Sequence, residues 1–327
     1  LQTMRKHTLC LTLFLLGILT ASAQNTKFGS YALSSNTNGF ENSAFGYESL
    51  RYNTSGYENS AFGVEALKFN IDGNDNSAFG KGSLRNNTYG NSNSAFGNRA
   101  LNYNTTGGGN TGMGTWALIN NTSGSSNTAV GGAALWYNQT GNNNTAVGEW
   151  CLAGIYTANS ASNNSALGYR SLMTNRGNDN NAFGYYALAS NTTGGGNAAF
   201  GTNALTSNLI GAFNAAFGNN SLNKNTASYN SAFGIGAAFS NISGTYNSAL
   251  GYNSLYFNQS GNNNTAVGDF ALRYARYSNN VGLGMFAGND SDYDSDCTFI
   301  GYNTNNDSYL HLYNNSTAIG SGARLTA

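Results

Sequence analysis

NSAFGYESLRYNTSGYE, residues 42–58, is followed at once by NSAFGVEALKFNIDGND, residues 59–75, which repeats it almost position by position. With the glycine of each AFG-like triplet as anchor, the phrase recurs 18 times, from Gly29 and Gly46 to Gly301 and Gly320, and 12 of the 17 intervals are 17 residues long. The other intervals are 16, 19 or 20, so turns absorb length while the anchors persist. A fixed short period of this kind marks stacked repeats, each touching only its neighbours in sequence. No linker or composition break interrupts it, and residues 24–327 read as a single repeat domain.

The phases show what the repeat builds. A large apolar residue precedes the anchor in all 18 copies (Phe28, Phe45, Met113, Val130, Leu167, Ile300 among them), and Leu stands four after it in 14; these two positions read as the core. Ala two before the anchor, and Ser or Ala three after it (Ser49, Ala66, Ser83, Ala100), read as small-residue files that a second surface can approach closely. Asn-Ser-Ala-Phe alternates with period two, and so do the residues around Leu50, which predicts two short strands per repeat. Turns fall at the anchor Gly and at Asn53-Thr54-Ser55-Gly56. The fold class expected is all-β, a parallel β-solenoid of about 18 short coils.

Composition agrees with that reading. The chain has 327 residues with 56 Asn, 43 Gly, no Pro and 9% charged residues. Parallel ladders about 4.8 Å apart have no place for a residue without an N–H, and like charges stacked at that spacing repel. Asn side chains stacked there can hydrogen-bond to one another instead, and Asn stands four before the anchor in 16 of 18 copies. Beyond the leader, 12 basic residues face 14 acidic ones, so there is no basic footprint for nucleic acid.

Residues 1–23 read as targeting sequence. Met4, Arg5, Lys6 and His7 form a positive start, Leu9 to Leu19 an apolar run, and Ala21-Ser22-Ala23 a small-residue cleavage site, with three upstream residues before Met4. This is the pattern of a secretory signal peptide, and the run is too short to span a bilayer, where about 20 residues are needed. The mature chain is expected to be secreted or displayed outside the cell, with no membrane insertion of its own.

The units NSAFGYESL and NTAVGEWCL, and the closing NSTAIGSGARLTA, resemble the YadA-type head repeats of trimeric autotransporter adhesins, and the seventeen-residue variants of secreted and fibre proteins of Bacteroidetes-like bacteria. The resemblance covers nearly all of the chain after the leader. It implies a left-handed β-roll, a parallel homotrimer, and attachment to a host or surface glycan or protein receptor. The longer period departs from the adhesins, and neither a coiled-coil stalk nor an anchoring β-domain follows. The array also ends without a polar capping coil, which fits a piece of a longer product.

Several candidate sites stand against this scaffold. Glu41, Glu58 and Asp75 share one phase and Arg51, Lys68 and Arg85 another, giving an acidic and a basic file expected to neutralise each other across a coil or between chains. Asp290, Asp292, Asp294 and Asp296 alternate in a way that suits a hard cation such as Ca²⁺, without the Gly and Glu of an EF-hand loop. Gly107, Gly109 and Gly112 match G-x-G-x-x-G but lack a βαβ unit, and read as a turn. His311 alone would have to support any His-based chemistry beyond the leader. Tyr47, Tyr57, Tyr89, Tyr169, Tyr185 and Tyr252 fall at turn phases where a ring can stack on a sugar or a partner. Cys151 and Cys297 lie nine coils apart, roughly 43 Å at the strand spacing, too far for a disulfide. No phase gathers a nucleophile, a base and an oxyanion donor, so the chain reads as a structural adhesin and not as an enzyme. The alternative is a tail-fibre or tailspike-like glycan-binding protein with glycan-cleaving carboxylates.

Overall fold

The computed structural model describes residues 24–154, 159–290, 292, 294–306 and 313–325. The expected leader and His311 lie outside the described residues. The chain divides after Ser125 into two compact units. In the first, six three-residue strands, β1 (Thr26–Phe28), β2 (Ser43–Phe45), β3 (Ser60–Phe62), β4 (Ser77–Phe79), β5 (Ser94–Phe96) and β6 (Thr111–Met113), pair in parallel and in register. Ser43 therefore lies beside Ser60, Ala44 beside Ala61 and Phe45 beside Phe62. In the second unit β7 (Thr128–Val130) opens a series that runs to β17 (Thr298–Ile300), which pairs with β19 (Thr317–Ile319). There β18 (Asn305–Asn306) also pairs in parallel with β20 (Arg324–Leu325). Among the described residues there is no helix. Each unit is a parallel β-solenoid with one coil per repeat, the fold class that the period predicts.

Each regular coil carries one strand, not the two expected. The stretch around Leu50 turns instead of extending, because Glu48 and Leu50 both take left-handed conformations (φ 57° and 47°), as do Glu65 and Leu67 in the next coil. That region costs a bulky residue roughly 1–2 kcal/mol. Leu50, Leu67, Leu84 and Leu101 are fully buried, which stabilises by about 1.5–3 kcal/mol each and offsets the strain. The Leu50 amide also donates to the Ala66 carbonyl at 3.0 Å, so the turn is locked to its neighbour. The alternation around Leu50 thus has a different cause from the one that the sequence suggests: turn residues bend every second side chain inward.

The core is also arranged differently. Ala44, Ala61, Ala78 and Ala95 are fully buried, as are Ser49, Ala66, Ser83 and Ala100. The small-residue files are therefore the inside of the coil together with Leu, and they offer no face to another chain. The apolar residue before the anchor points outward; Phe79 and Phe96 are 37% and 39% exposed. In a three-residue strand the middle side chain faces opposite to its neighbours, and where Leu fills the coil the space left for the middle residue is the size of Ala. The rings recover burial by stacking along the ladder: Phe45–Phe62, Phe62–Phe79 and Phe79–Phe96 have centroids 4.8, 4.8 and 4.9 Å apart, with planes within 5° of parallel.

Two columns of Asn complete the interior. The expected one runs through Asn42, Asn59, Asn76, Asn93 and Asn110, all fully buried. Asn59 donates from both its amide and Nδ2 to Asn42 Oδ1, at 3.0 and 3.1 Å. A second column, unforeseen, runs through Asn53, Asn70, Asn87 and Asn104, with Asn70 Nδ2 donating to Asn53 Oδ1 at 2.8 Å. The two meet at one carbonyl per coil, since Asn59 Nδ2 and Asn70 Nδ2 both donate to Gly73 O at 2.8 Å. The coil tolerates exchange of volume between positions. In the second unit Phe299 fills the Ala place and is fully buried, while Gly288 holds the Leu place of the coil before it. A Cβ on Gly288 would stand 2.7 Å from the Phe299 ring, so the large residue uses the space that the small one leaves.

Candidate functional site

The charges of the first unit form a ladder on one side of the coils. Arg51 pairs with Glu48, Lys68 pairs with Glu48 and with Glu65 (2.8 Å), and Arg85 reaches Glu65 through Nε at 3.0 Å. The acids are Glu48 and Glu65, two residues after the anchor, and not the Glu41, Glu58, Asp75 file expected to neutralise the cations. The turn at Glu48 and Leu50 brings Glu48 and Arg51, three residues apart, onto the same side. Lys68 beside Glu48 holds its carboxyl below the ordinary glutamate range, and Lys68 together with Arg85 does the same for Glu65. Arg51 also lies over the rings of Tyr31 and Tyr52, and Arg85 over Phe69 at 4.9 Å, so each guanidinium is held by charge and by a ring face.

The other acidic file, Glu41, Glu58 and Asp75, enters no ion pair among the described residues. Glu58 shares a hydrogen bond with Asp75, and that bond, burial and the charges of Asp75 and Glu41 push its carboxyl above the ordinary range. All three residues sit at left-handed positions, with φ of 55–57°. The arrangement stores repulsion along an exposed edge.

Aromatic residues fill the outer turns. Of the turn tyrosines expected to be available, Tyr47, Tyr89, Tyr185 and Tyr252 are exposed. Several stack on a neighbour one coil away: Tyr57 on Phe40 at 5.0 Å and Tyr169 on Tyr185 at 5.7 Å. Tyr52 and Phe69 stack at 5.2 Å and form one wall of an open groove of about 620 Å³. Thr54, Ile71, Asn86, Thr88 and Thr105 line the rest of it. The Thr hydroxyls of Thr54, Thr88 and Thr105 donate to backbone carbonyls of the next coil. Their methyl groups are left to face the groove, which makes its surface mostly apolar.

The four aspartates proposed for calcium face different donors. Asp290 accepts from Asn289 and Asn305, Asp292 pairs with Arg276 at 2.8 Å, and Asp296 accepts from Asn279. Asp294 is fully buried, accepts from the Tyr313 amide and Asn306 Nδ2, and has its carboxyl pushed up by burial. Asp290 and Asp292 share a cleft of about 470 Å³ with Arg273 and Arg276, whose guanidinium groups supply positive charge there. Among the described residues no group of three or more His, Cys, Asp or Glu is placed to hold a metal ion. Cys151 and Cys297 are both buried and free, and Cys297 takes an Asn place in the column, its amide donating to Asn280 Oδ1 at 3.0 Å. Of the G-x-G-x-x-G match, Gly107 is a turn residue whose carbonyl accepts from both Asn columns, and Gly112 is the middle of β6.

The chain matches no family model, no curated protein and no solved structure. Among the described residues no helix is long and apolar enough to cross a membrane. Sequence reasoning passed over Glu48 and Glu65 because only two coils carry an acid at that phase, whereas five carry one at the Glu41 phase, three of them in succession. The signal that could have found them is their i, i+3 spacing to Arg51 and Lys68.

Proposed function

We propose that the protein is a secreted or cell-surface structural adhesin that projects a stiff repeat array and presents repeated turn edges to a glycan or protein receptor. The observation that carries this reading is the outward file of apolar residues. It repeats at strand spacing through Phe45, Phe62, Phe79 and Phe96 in the first unit and through Phe183, Phe200, Phe217 and Phe233 in the second. The residues at the other outward strand position are Ser, Thr, Asn, Ala or Val, so the face is uncharged along β2 to β6. Such a face suits lateral association of copies with the same repeat. The resemblance to YadA-type head repeats supports three as their number and a polar, aromatic exterior as the adhesive surface. The first 23 residues support export.

The test has two arms. Expressed with its leader in a bacterial host, the chain should be recovered outside the inner membrane with Gln24 at its start; retention in the cytoplasm defeats the export reading. Light scattering of the purified chain should give three times the monomer mass, and a folded monomer defeats the trimer. Phe62→Asp and Phe200→Asp together should lower the mass to that of the monomer, since they place charge in the contact.

A further inference from the structure

The fourth coil of the first unit, anchored at Gly80, is thinned at two neighbouring outer positions. Gly82 occupies the place held by Glu48 and Glu65 in the two preceding coils and by Arg99 in the next. Asn86 occupies the place held by Tyr52, Phe69 and Tyr103. The missing side chain at Gly82 opens a cleft of about 250 Å³ between Glu65 and Arg99, closed by Lys81, Arg85, Asn102 and Tyr103. Its floor is rigid: Asn102 is 6% exposed and donates from Nδ2 to Gly82 O at 2.6 Å, and the Arg99 stem lies over Gly82.

The charge in this cleft is unbalanced. Glu65 is engaged by Lys68 at 2.8 Å and by Arg85 at 3.0 Å. Lys81 and Arg99 are exposed, and neither belongs to an ion pair among the described residues. Two cations without an acid, in a chain with so few charges, stand at the mouth of a preformed polar cleft. Beside them Tyr103 is 51% exposed, and Asn86 in the coil before it ends the Tyr52–Phe69 stack short of its ring. A cationic pair beside an open aromatic ring matches a ligand with an anionic group on a ring that has an apolar face.

We propose that this cleft binds an anionic saccharide, its sulfate or carboxylate between Lys81 and Arg99 and its pyranose ring against Tyr103. The proposal rests on the receptor reading above and narrows it to acidic glycans. A nucleic acid is the poorer fit, because the chain beyond the leader carries more acidic than basic residues.

The test is calorimetric titration of the full chain with a heparin-derived tetrasaccharide, a tetragalacturonate and neutral maltotetraose. At least one acidic probe should bind more tightly than maltotetraose, and which one it is tells sulfate from carboxylate. Lys81→Gln with Arg99→Gln should weaken that binding at least about tenfold, the loss of one or two charge-assisted hydrogen bonds. Tyr103→Ala should weaken it several-fold while leaving competition by inorganic sulfate unchanged. Lys224→Gln, in the second unit, should change nothing. Equal binding of all three probes, or an unchanged affinity in the double variant, overturns the site; binding of inorganic sulfate as tight as the saccharide reduces it to a simple anion site and overturns the saccharide. Export and oligomeric mass do not depend on Lys81 or Arg99, so failure of the cleft is distinguishable from failure of the adhesin reading.

Discussion

Asn76 donates twice to a single atom of Asn59: its backbone amide and its Nδ2 both reach Asn59 Oδ1, at 3.0 Å each. The two residues are 17 apart in sequence and both are fully buried. The carboxamide therefore does in the coil interior what a ladder does between strands, and a coil with a thin apolar core is held by polar groups that water does not reach.

Replacing Asn76 by Ala leaves Asn59 Oδ1 and the Gly90 carbonyl each short of a donor and removes the acceptor of the Asn93 amide. Each buried group left unsatisfied costs about 1–3 kcal/mol, so the variant should lose several kcal/mol locally. Hydrogen exchange should show faster exchange of the Asn76 and Asn93 amides than of amides several coils away. Equal protection in wild type and variant would count against the column as a stabilising element.

Gly73→Ala should be at least as damaging. The added methyl would sit 2.5 Å from both Asn70 Oδ1 and Gly90 O, where backbone and column leave no room. We expect a loss of more than about 3 kcal/mol or failure to fold. A Gly132→Ala control has only Glu149 Cγ within 4 Å, at 3.8 Å, and should unfold at the wild-type temperature.

The ion-pair ladder predicts a pH dependence of one sign. Glu48 and Glu65 have folded pKa values lowered first by the hydrogen bond to Lys68, so their contribution is complete above the ordinary glutamate value and is lost as pH falls through the lowered one. Glu48→Gln should lower the unfolding temperature at pH 7 by a few degrees and have little effect once the wild-type carboxylates are protonated. An effect that grows towards acid pH would contradict the ladder.

Glu58 predicts the opposite sign. Its folded pKa is raised, chiefly by the hydrogen bond to Asp75, so its favourable contribution is present below the ordinary value and is lost as pH rises through the raised one. Glu58→Gln should raise the unfolding temperature at pH 7, with the gain disappearing in acid. Thermal unfolding at pH 4 and pH 7 of wild type and variant decides it.

Cys151 should be inert in the native protein. Burial pushes its thiol up to about 12, which leaves almost no thiolate at neutral pH, and burial also raises Cys297. Alkylation by iodoacetamide should reach both only after denaturation, and peptide mapping without reductant should find no link between them inside one monomer.

How far the sequence carries the reader is clearest at Ala44, Phe45 and Leu50. The 17-residue period, the parallel stack, the buried Leu and the first Asn column were all legible, because identical phases in successive coils must lie side by side. The placing of Phe45 outside and Ala44 inside was not, since hydrophobicity alone ranks Phe as the more buried residue. What decides it is the narrow cross-section, together with the match between ring-stacking and strand spacing that makes an outer Phe file favourable. Leu50 in a left-handed turn was illegible for a related reason: propensity argues against it, and only burial outweighs the strain. At the candidate site, the files of charge were legible but their pairing was not, because pairing depends on the turn at Glu48 and Leu50. The Gly82 cleft is visible only as an absence in a file, which requires the register to be known first.

Within each unit the Asn columns carry a direction. Asn59 donates to Asn42 and Asn76 to Asn59, while Asn70 donates to Asn53 and Asn87 to Asn70. Within these columns the Asn oxygens of one coil accept from the Asn of the coil that follows in sequence. A chain delivered N-terminus first meets at each step two Asn oxygens already fixed in place, and so is templated one coil at a time in the order in which it emerges.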